Sequence, residues 1–438
     1  MNKIKPLLTS ILALTLTSIV SAKQVKMEVG IGQPILIADK KQTAYLKIGL
    51  TGFELAKTGQ RPPTNIALVI DKSGSMGGDK IRHAREATAN AIYQLASNDI
   101  VSIVTYDDTV EVLVPATKVS DKNAIAKKVK SIQVGGSTAL FAGVSKGAAE
   151  VRKFLEKKRV NRVILLSDGL ANVGPQTPSA LADLGKSLSK EGISVSTIGL
   201  GLGYNEDLMT ELARKSGGNH GFAENATDLA AIFNSELENA LSVVAQEVSI
   251  RVTVANGVRP VKVLGREAEI YGQIVQVNMN QLYANQEKYI LLEVEIPAQA
   301  AGKALEIASI HVSYSNLETH LVDKLSSTAG VSFSNSIAEA EKSVDDEVMA
   351  PAIEQIAIEK SKEAVVLRDK GKIKEAKAVL KQNAIFLGRN AARYKSKKLE
   401  KLQAEQEISA DNLDDKNWQK QRKMMRKDQY KHETQQTY

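Results

Sequence analysis

The apolar run Ile66-Ala67-Leu68-Val69-Ile70 stops abruptly at Asp71-Lys72-Ser73-Gly74-Ser75, and no other stretch constrains the fold as tightly. Such a run without polar interruption reads as a strand buried on both faces, delivering oxygen-bearing residues to its end. Alternate residues of an extended loop point the same way, so Asp71, Ser73 and Ser75 can converge on one point, as a hard cation requires. Gly74 lets the loop turn tightly between the serines. Taken alone, the same pattern also serves as a turn or a helix cap.

A chain of 438 residues exceeds what one compact domain usually needs, so two or three units are expected. Lys3 and Lys5 precede an apolar run over residues 7–20, and Val20-Ser21-Ala22 supplies a cleavage pattern. Residues 1–22 therefore read as a signal peptide, and the mature protein as periplasmic or secreted. The alternative, an uncleaved anchor, is disfavoured because the apolar core is short for a membrane span. After Ala22 no apolar stretch reaches the ~18 residues of a transmembrane segment. The chain has no cysteine, which excludes disulfides, a thiol nucleophile and a lipid-bearing cysteine. Its net charge of +8 loses two with Lys3 and Lys5, leaving a modest basic excess concentrated near the C-terminus.

Residues 23–62 alternate as strands do, in Val25-Lys26-Met27-Glu28-Val29 and Ala44-Tyr45-Leu46-Lys47-Ile48. They are too few for an independent sandwich. Residues 247–335 return to alternation, as in Val248-Ser249-Ile250-Arg251-Val252, and read as an antiparallel β domain. The early strands are expected to complete it, which makes the intervening unit an insertion into a discontinuous β domain. Within that unit, residues 63–246, apolar runs alternate with helical patterns, the signature of a doubly wound, mostly parallel α/β sheet. Only Asp107, Asp108 and Thr109 separate two of its apolar runs. That link is too short for a crossover helix, so an antiparallel edge strand is expected. Residues 336–404 read as a helical hairpin, turning at Arg368-Asp369-Lys370-Gly371. Residues 405–438 are charged and polar, expected to be disordered or an extended helix.

Three separated segments of the α/β unit end in oxygen donors: Asp71-Lys72-Ser73-Gly74-Ser75, Gly136-Ser137-Thr138 and Ser167-Asp168-Gly169. In this order the sequence resembles the von Willebrand factor type A domain with a metal-ion-dependent adhesion site, over about residues 63–244. The resemblance implies that Ser73, Ser75 and Thr138 give hydroxyl oxygens to a divalent ion, and that Asp71 and Asp168 bind it directly or through water. Thr138 is preferred to Ser137 because its distance from Gly143 matches the family's spacing. Lys72 departs from the family's pattern in charge. The layout is also similar to bacterial exported type A proteins of the calcium-activated chloride channel-like group, although no apolar span supports channel activity. The donor chemistry agrees independently: an all-oxygen set suits Mg²⁺, with Mn²⁺ or Ca²⁺ as alternatives, rather than zinc.

Other motifs carry less. Ala180-Leu181-Ala182-Asp183-Leu184-Gly185-Lys186-Ser187 lacks the first glycine of a phosphate loop and falls inside a helical pattern. Gly199-Leu200-Gly201-Leu202-Gly203 lacks the third glycine of a dinucleotide fingerprint and reads as a strand-end turn. The five histidines are scattered, and no nucleophile elbow occurs. The basic run over residues 420–427 reads as a solvated tail, with weak contact to an anionic membrane surface as the alternative; no nucleic-acid module accompanies it. The expected function is non-enzymatic: binding of a protein partner whose Asp or Glu reaches the ion. The alternative is a cell-envelope structural or assembly factor in which the metal mainly stabilises the fold.

Overall fold

The computed structural model describes residues 23–55 and 61–437; the expected leader, residues 1–22, lies outside them. Strands β1 (Lys26–Ile31), β2 (Ile35–Ile37) and β3 (Gln42–Thr51) come first. An α/β unit follows: β4 (Thr64–Asp71), α1 (Asp79–Gln94), β5 (Ile100–Tyr106), β6 (Val110–Lys118), α2 (Lys122–Lys130) and α3 (Leu140–Arg152). It continues through β7 (Val160–Ser167), α4 (Pro178–Lys190), β8 (Ser194–Leu200), α5 (Glu206–Ser216), β9 (His220–Ala223) and α6 (Ala226–Leu241). Strands β10 (Val243–Val254), β11 (Arg259–Leu264), β12 (Glu269–Tyr271), β13 (Ile274–Tyr283), β14 (Glu287–Ile296), β15 (Ala304–Asn316) and β16 (Val322–Ser334) come next. Helices α7 (Ile337–Lys342), α8 (Asp346–Asp369), α9 (Ile373–Arg393), α10 (Lys397–Asp411) and α11 (Asp415–Thr434) close the chain. No helix among the described residues is long and apolar enough to cross a membrane.

The α/β sheet has the order β6-β5-β4-β7-β8-β9. It is parallel except at β6, which runs antiparallel to β5 as the short link between them requires. Strand β4 is central, and every one of its positions is buried. Its side chains alternate between two cores: Ile66, Leu68 and Ile70 meet α1 and α6, while Ala67 and Val69 meet α3 and α5. Each large side chain buried in this way contributes roughly 2 kcal/mol. The segment that mimics a phosphate loop lies in α4, which starts at Pro178 under a Thr177 cap. A Cβ on Gly185 would stand 2.7 Å from the Leu212 carbonyl oxygen, so this glycine serves close packing of α4 on α5.

The flanking strands form one β sandwich interrupted by the α/β unit. Its sheets run β1-β3-β14-β11 and β12-β13-β10-β15-β16-β2. Val29 pairs with Ile48 and Leu46 with Leu292, while β2 joins β16 in parallel through Leu36 and Phe333. The early strands thus enter both sheets, and Leu46, Ile48, Val252 and Val294 share one core. The discontinuous β domain expected from the alternation is the arrangement found.

Of the two expectations for the C-terminal region, the helix is found and the disorder is not. Residues 405–438 are not disordered where described: they finish α10, form α11 and dock against two distant parts of the chain. Arg422 reaches Asp207 at 2.6 Å, Asp369 at 2.9 Å and also Glu206, while Lys423 donates to Glu206 at 2.6 Å and to the Tyr204 carbonyl at 2.7 Å. Tyr430 donates to the Gly218 carbonyl at 2.7 Å. Much of the basic run therefore faces carboxylates of α5 and α8 rather than a membrane. Charge density alone suggested solvation, but the complementary acids lie far away in sequence, 53 positions for Asp369 and 215 for Asp207, and are invisible to local composition.

On its other side α11 holds His432, whose Nδ1 lies 2.6 Å from Glu354 Oε1 and whose Nε2 lies 3.8 Å from Glu405. Burial disfavours the imidazolium, yet hydrogen bonds to Glu354 and Glu405 outweigh it and raise the histidine to about 9. A raised folded-state pKa adds stability that is complete below the unfolded value of ~6.5 and is lost as pH rises through about 9. Hydrogen exchange of the α8–α11 amides should therefore speed up between pH 7 and pH 10 beyond the intrinsic trend. His432→Gln should abolish that excess; an identical excess in the variant would exclude His432 as its source.

Candidate metal centre

Strands β4 and β7 are neighbours, so their carboxyl ends place Asp71 and Ser167-Asp168 side by side at the rim where ligands sit in such sheets. Beyond β4 the backbone turns through a short 3-10 segment, Gly74–Met76. The Ser73 amide donates to Asp71 Oδ1 at 2.9 Å, and the Ser73 and Ser75 hydroxyls lie 3.1 Å apart. Ser75 donates to Asp168 Oδ1 at 2.7 Å. The third segment is tied in by main chain: Gly74 N donates to Gly136 O at 3.1 Å, and Asn172 N to Thr138 O at 3.1 Å. All five residues singled out in the sequence, Asp71, Ser73, Ser75, Thr138 and Asp168, meet here.

Gly169 measures how closely. A Cβ placed on it would stand 3.0 Å from Thr138 Oγ1 and 3.6 Å from Ser75 Oγ, so two hydroxyls from separate loops face the same small space beside Asp168. Two carboxylates and three hydroxyls make a hard-oxygen donor set that fits a small divalent cation. Asp71, Ser73, Thr138 and Asp168 are buried, whereas Ser75 is exposed, so the site opens on one side only.

Several residues absent from the sequence-based set shape this centre. Ser167 donates to Asp71 Oδ2 at 2.6 Å, and Tyr106 donates to the same oxygen at 3.4 Å. Burial pushes the Asp71 carboxyl up, hydrogen bonds from Ser167 and Ser73 oppose the rise, and the charge of Asp168 adds to it. With its oxygens engaged by protein donors, Asp71 suits contact with an ion through water. Asn172 accepts from the Thr138 amide at 2.7 Å and fixes that loop. Lys80, in the first turn of α1, ion-pairs with Asp168 Oδ2 and donates to Ser75 O at 3.3 Å. A cation binding at Asp168 competes with this ammonium for the carboxylate. Only the close spacing of Lys80 after the serines hinted at it.

Lys72, the unexplained charge of the loop, turns away from the centre and pairs with Asp107. Burial opposes ionisation of Asp107, but hydrogen bonds from Lys72 and Thr109 hold it down to about 2. The pair pins the loop after β4 to the β5–β6 turn. Among the described residues no group of three or more His, Cys, Asp or Glu could hold a metal ion, so any ion here depends on the hydroxyls.

Residues 65–236 match the family model of the von Willebrand factor type A domain. That segment is a type A domain. Similar proteins include YfbK of Escherichia coli strain K12, 28% identical over 48% of this chain and 37% of its own length. Another is sll0103 of Synechocystis, 26% identical over 58% of this chain and 62% of that protein. The chain thus spans less than two thirds of either relative. A solved type A structure from Catenulispora acidiphila, 16% identical, superposes with a TM-score of 0.69 over 90% of both chains and shares the fold. Type A domains generally mediate protein interactions. In this one the five converging residues sit at the C-terminal rim of the type A sheet, and the sandwich and helices lie outside the matched segment.

Proposed function

We propose that this chain is an exported, non-enzymatic binding protein whose type A domain engages a protein partner through a divalent ion, most simply Mg²⁺. The observation that carries the reading is the convergence of Ser75, Thr138 and Asp168 on one small space, open on one side. When bound, such an ion supplies an electrophilic position for a carboxylate oxygen of the partner. The chain's own residues do the rest. Asp168 would hold the ion, and Ser73, Ser75 and Thr138 would add neutral oxygens that leave its charge unspent. Asp71, fixed by Ser167 and Ser73, would orient the loop and order water.

The rim favours a macromolecular partner. Leu170 is 58% exposed, Val173 37% and Leu202 38%. Leu170 and Val173 stand on the segment after Asp168, and the loop of Leu202 packs on the Asp168 backbone through Gly203. Large apolar side chains grouped around a polar centre are what a protein interface presents. Both carboxylates of the centre are already engaged, Asp71 hydrogen-bonded on both oxygens and Asp168 paired with Lys80, which favours binding over general-base chemistry. Export rests on the leader pattern of residues 1–22.

The test is capture of partners by the immobilised chain in Mg²⁺ and after metal removal. A protein retained only with the ion, and released by free glutamate or chelator, is the expected outcome. Partners retained equally in both conditions would overturn the reading in favour of a structural role.

A further inference from the structure

A second site lies where the three units meet. Helices α4 and α5 of the type A domain, strands β11, β13 and β14 of the sandwich, and helices α8 and α11 enclose a cleft of about 510 Å³. Six cationic side chains line it: Lys186, Arg214, Lys215, Arg266, Lys288 and Lys362. The facing acids are largely engaged already. Glu433 pairs with Arg214 and Lys362, Glu267 with Lys215, and Glu359 with Lys262.

Two cations stand apart. Lys288 is 8% exposed, and no carboxylate lies within ion-pair distance of it among the described residues. Its ammonium rests 4.6 Å over the ring of Tyr283. The neighbouring carboxylate, Glu236, is occupied by Arg162 at 2.6 Å and Asn219 at 2.7 Å. Arg266 forms no ion pair among the described residues, although the charge of Glu433 reaches it; its hydrogen bonds go to neutral oxygens, those of Gln435 at 2.7 Å and of Tyr289 and Thr434 at 3.3 Å. The nearby carboxylates Glu236 and Glu433 are already spent on Arg162, Arg214 and Lys362, so an ammonium and a guanidinium held in one cleft without ion pairs of their own are costly unless something anionic answers them. Burial, with Arg266 and Arg162 close by, pushes Lys288 down to about 7, the behaviour of a site lacking its anion.

We infer that this cleft binds a small soluble polyanion bearing phosphate or carboxylate groups, with Lys288 at its floor and the Arg266 fork beside it. Protein oxygens take Arg266 Nε and Nη2 and so fix the guanidinium in place, leaving Nη1 and the Lys288 ammonium to donate charge-assisted hydrogen bonds to oxyanion oxygens. Exposed Lys186 adds positive charge at the edge of the cleft, and the bound group joins the type A domain, the sandwich and the helical region. The inference is independent of the divalent centre, because none of these residues belongs to it.

The experiment is calorimetric titration of the full chain, freed of metal over a chelating resin, with pyrophosphate and, separately, with citrate, against sodium chloride of matched ionic strength. Saturable one-to-one binding of either anion is expected, with a rise in Tm at saturation. Lys288→Gln and Arg266→Gln should each weaken it about tenfold or more, in line with loss of one charge-assisted contact. Without anion, Lys288→Gln should match or exceed the wild-type Tm, because it removes an unanswered buried charge; this distinguishes ligand binding from a structural lysine. Absence of saturable binding to both anions, or variants that titrate like the wild type, would overturn the inference. So would anion-free destabilisation by Lys288→Gln.

Discussion

Asp168→Ala is expected to weaken Mg²⁺ binding by at least ~100-fold, since it removes one of only two carboxylates from an otherwise neutral oxygen set. The chain should remain folded, because Asp168 stands in the rim loop just after β7, outside the apolar clusters, and its partners Ser75 and Lys80 both reach solvent. Lys80→Gln should move affinity the other way. Its ammonium competes for Asp168 Oδ2, so removing it should tighten Mg²⁺ binding several-fold, more at low salt than at high. Titration calorimetry on the two variants checks the pair together. Equal affinities in wild type and Asp168→Ala would remove Asp168 from the site, and weaker binding in Lys80→Gln would recast Lys80 as an organiser of the loop.

The second large effect concerns stability. Arg162 is fully buried where β7 meets the sandwich; its Nη1 lies 2.6 Å from Glu236, and its guanidinium also contacts Ser194, Gln281 and Tyr283. Glu236 belongs to α6 and Tyr283 to β13, so the network fastens the inserted domain to its host. Arg162→Met would leave the buried Glu236 carboxylate without its guanidinium, a loss of about 3–5 kcal/mol. Arg162→Met combined with Glu236→Leu should recover much of that, because desolvating the pair is itself costly. Urea denaturation of the single and double variants checks both. A single variant within about 1 kcal/mol of wild type would contradict a structural role for the pair.

Much of this was legible because the decisive signals are short-range in sequence. The unbroken apolar run of β4 can only be a strand covered on both faces, and the three-residue link after β5 can only make an antiparallel edge. The donor residues were readable because each follows the end of a strand or opens a helix, so backbone direction alone brings them to one rim. Lys80 and Ser167 were not readable as parts of the centre, since their roles come from side-chain reach across loops. The fate of Lys72 depended on Asp107. The docking of the C-terminal helix was missed for a related reason: Arg422 and Lys423 look solvated until Glu206 and Asp207 are placed opposite them. The sandwich was foreseen in its discontinuity but not in its division, because alternation reveals a buried face and not which sheet a strand joins.

The central claim is that one divalent ion sits among the hydroxyls beside Asp168. Crystals of the full chain grown or soaked with Mn²⁺ test it directly through the ion's anomalous scattering. The account predicts a single strong peak within coordination distance, about 2.0–2.3 Å, of oxygens from Ser73, Ser75 and Thr138, with Lys80 displaced from Asp168. A fully soaked crystal with no peak there, and Lys80 still on Asp168, would contradict it.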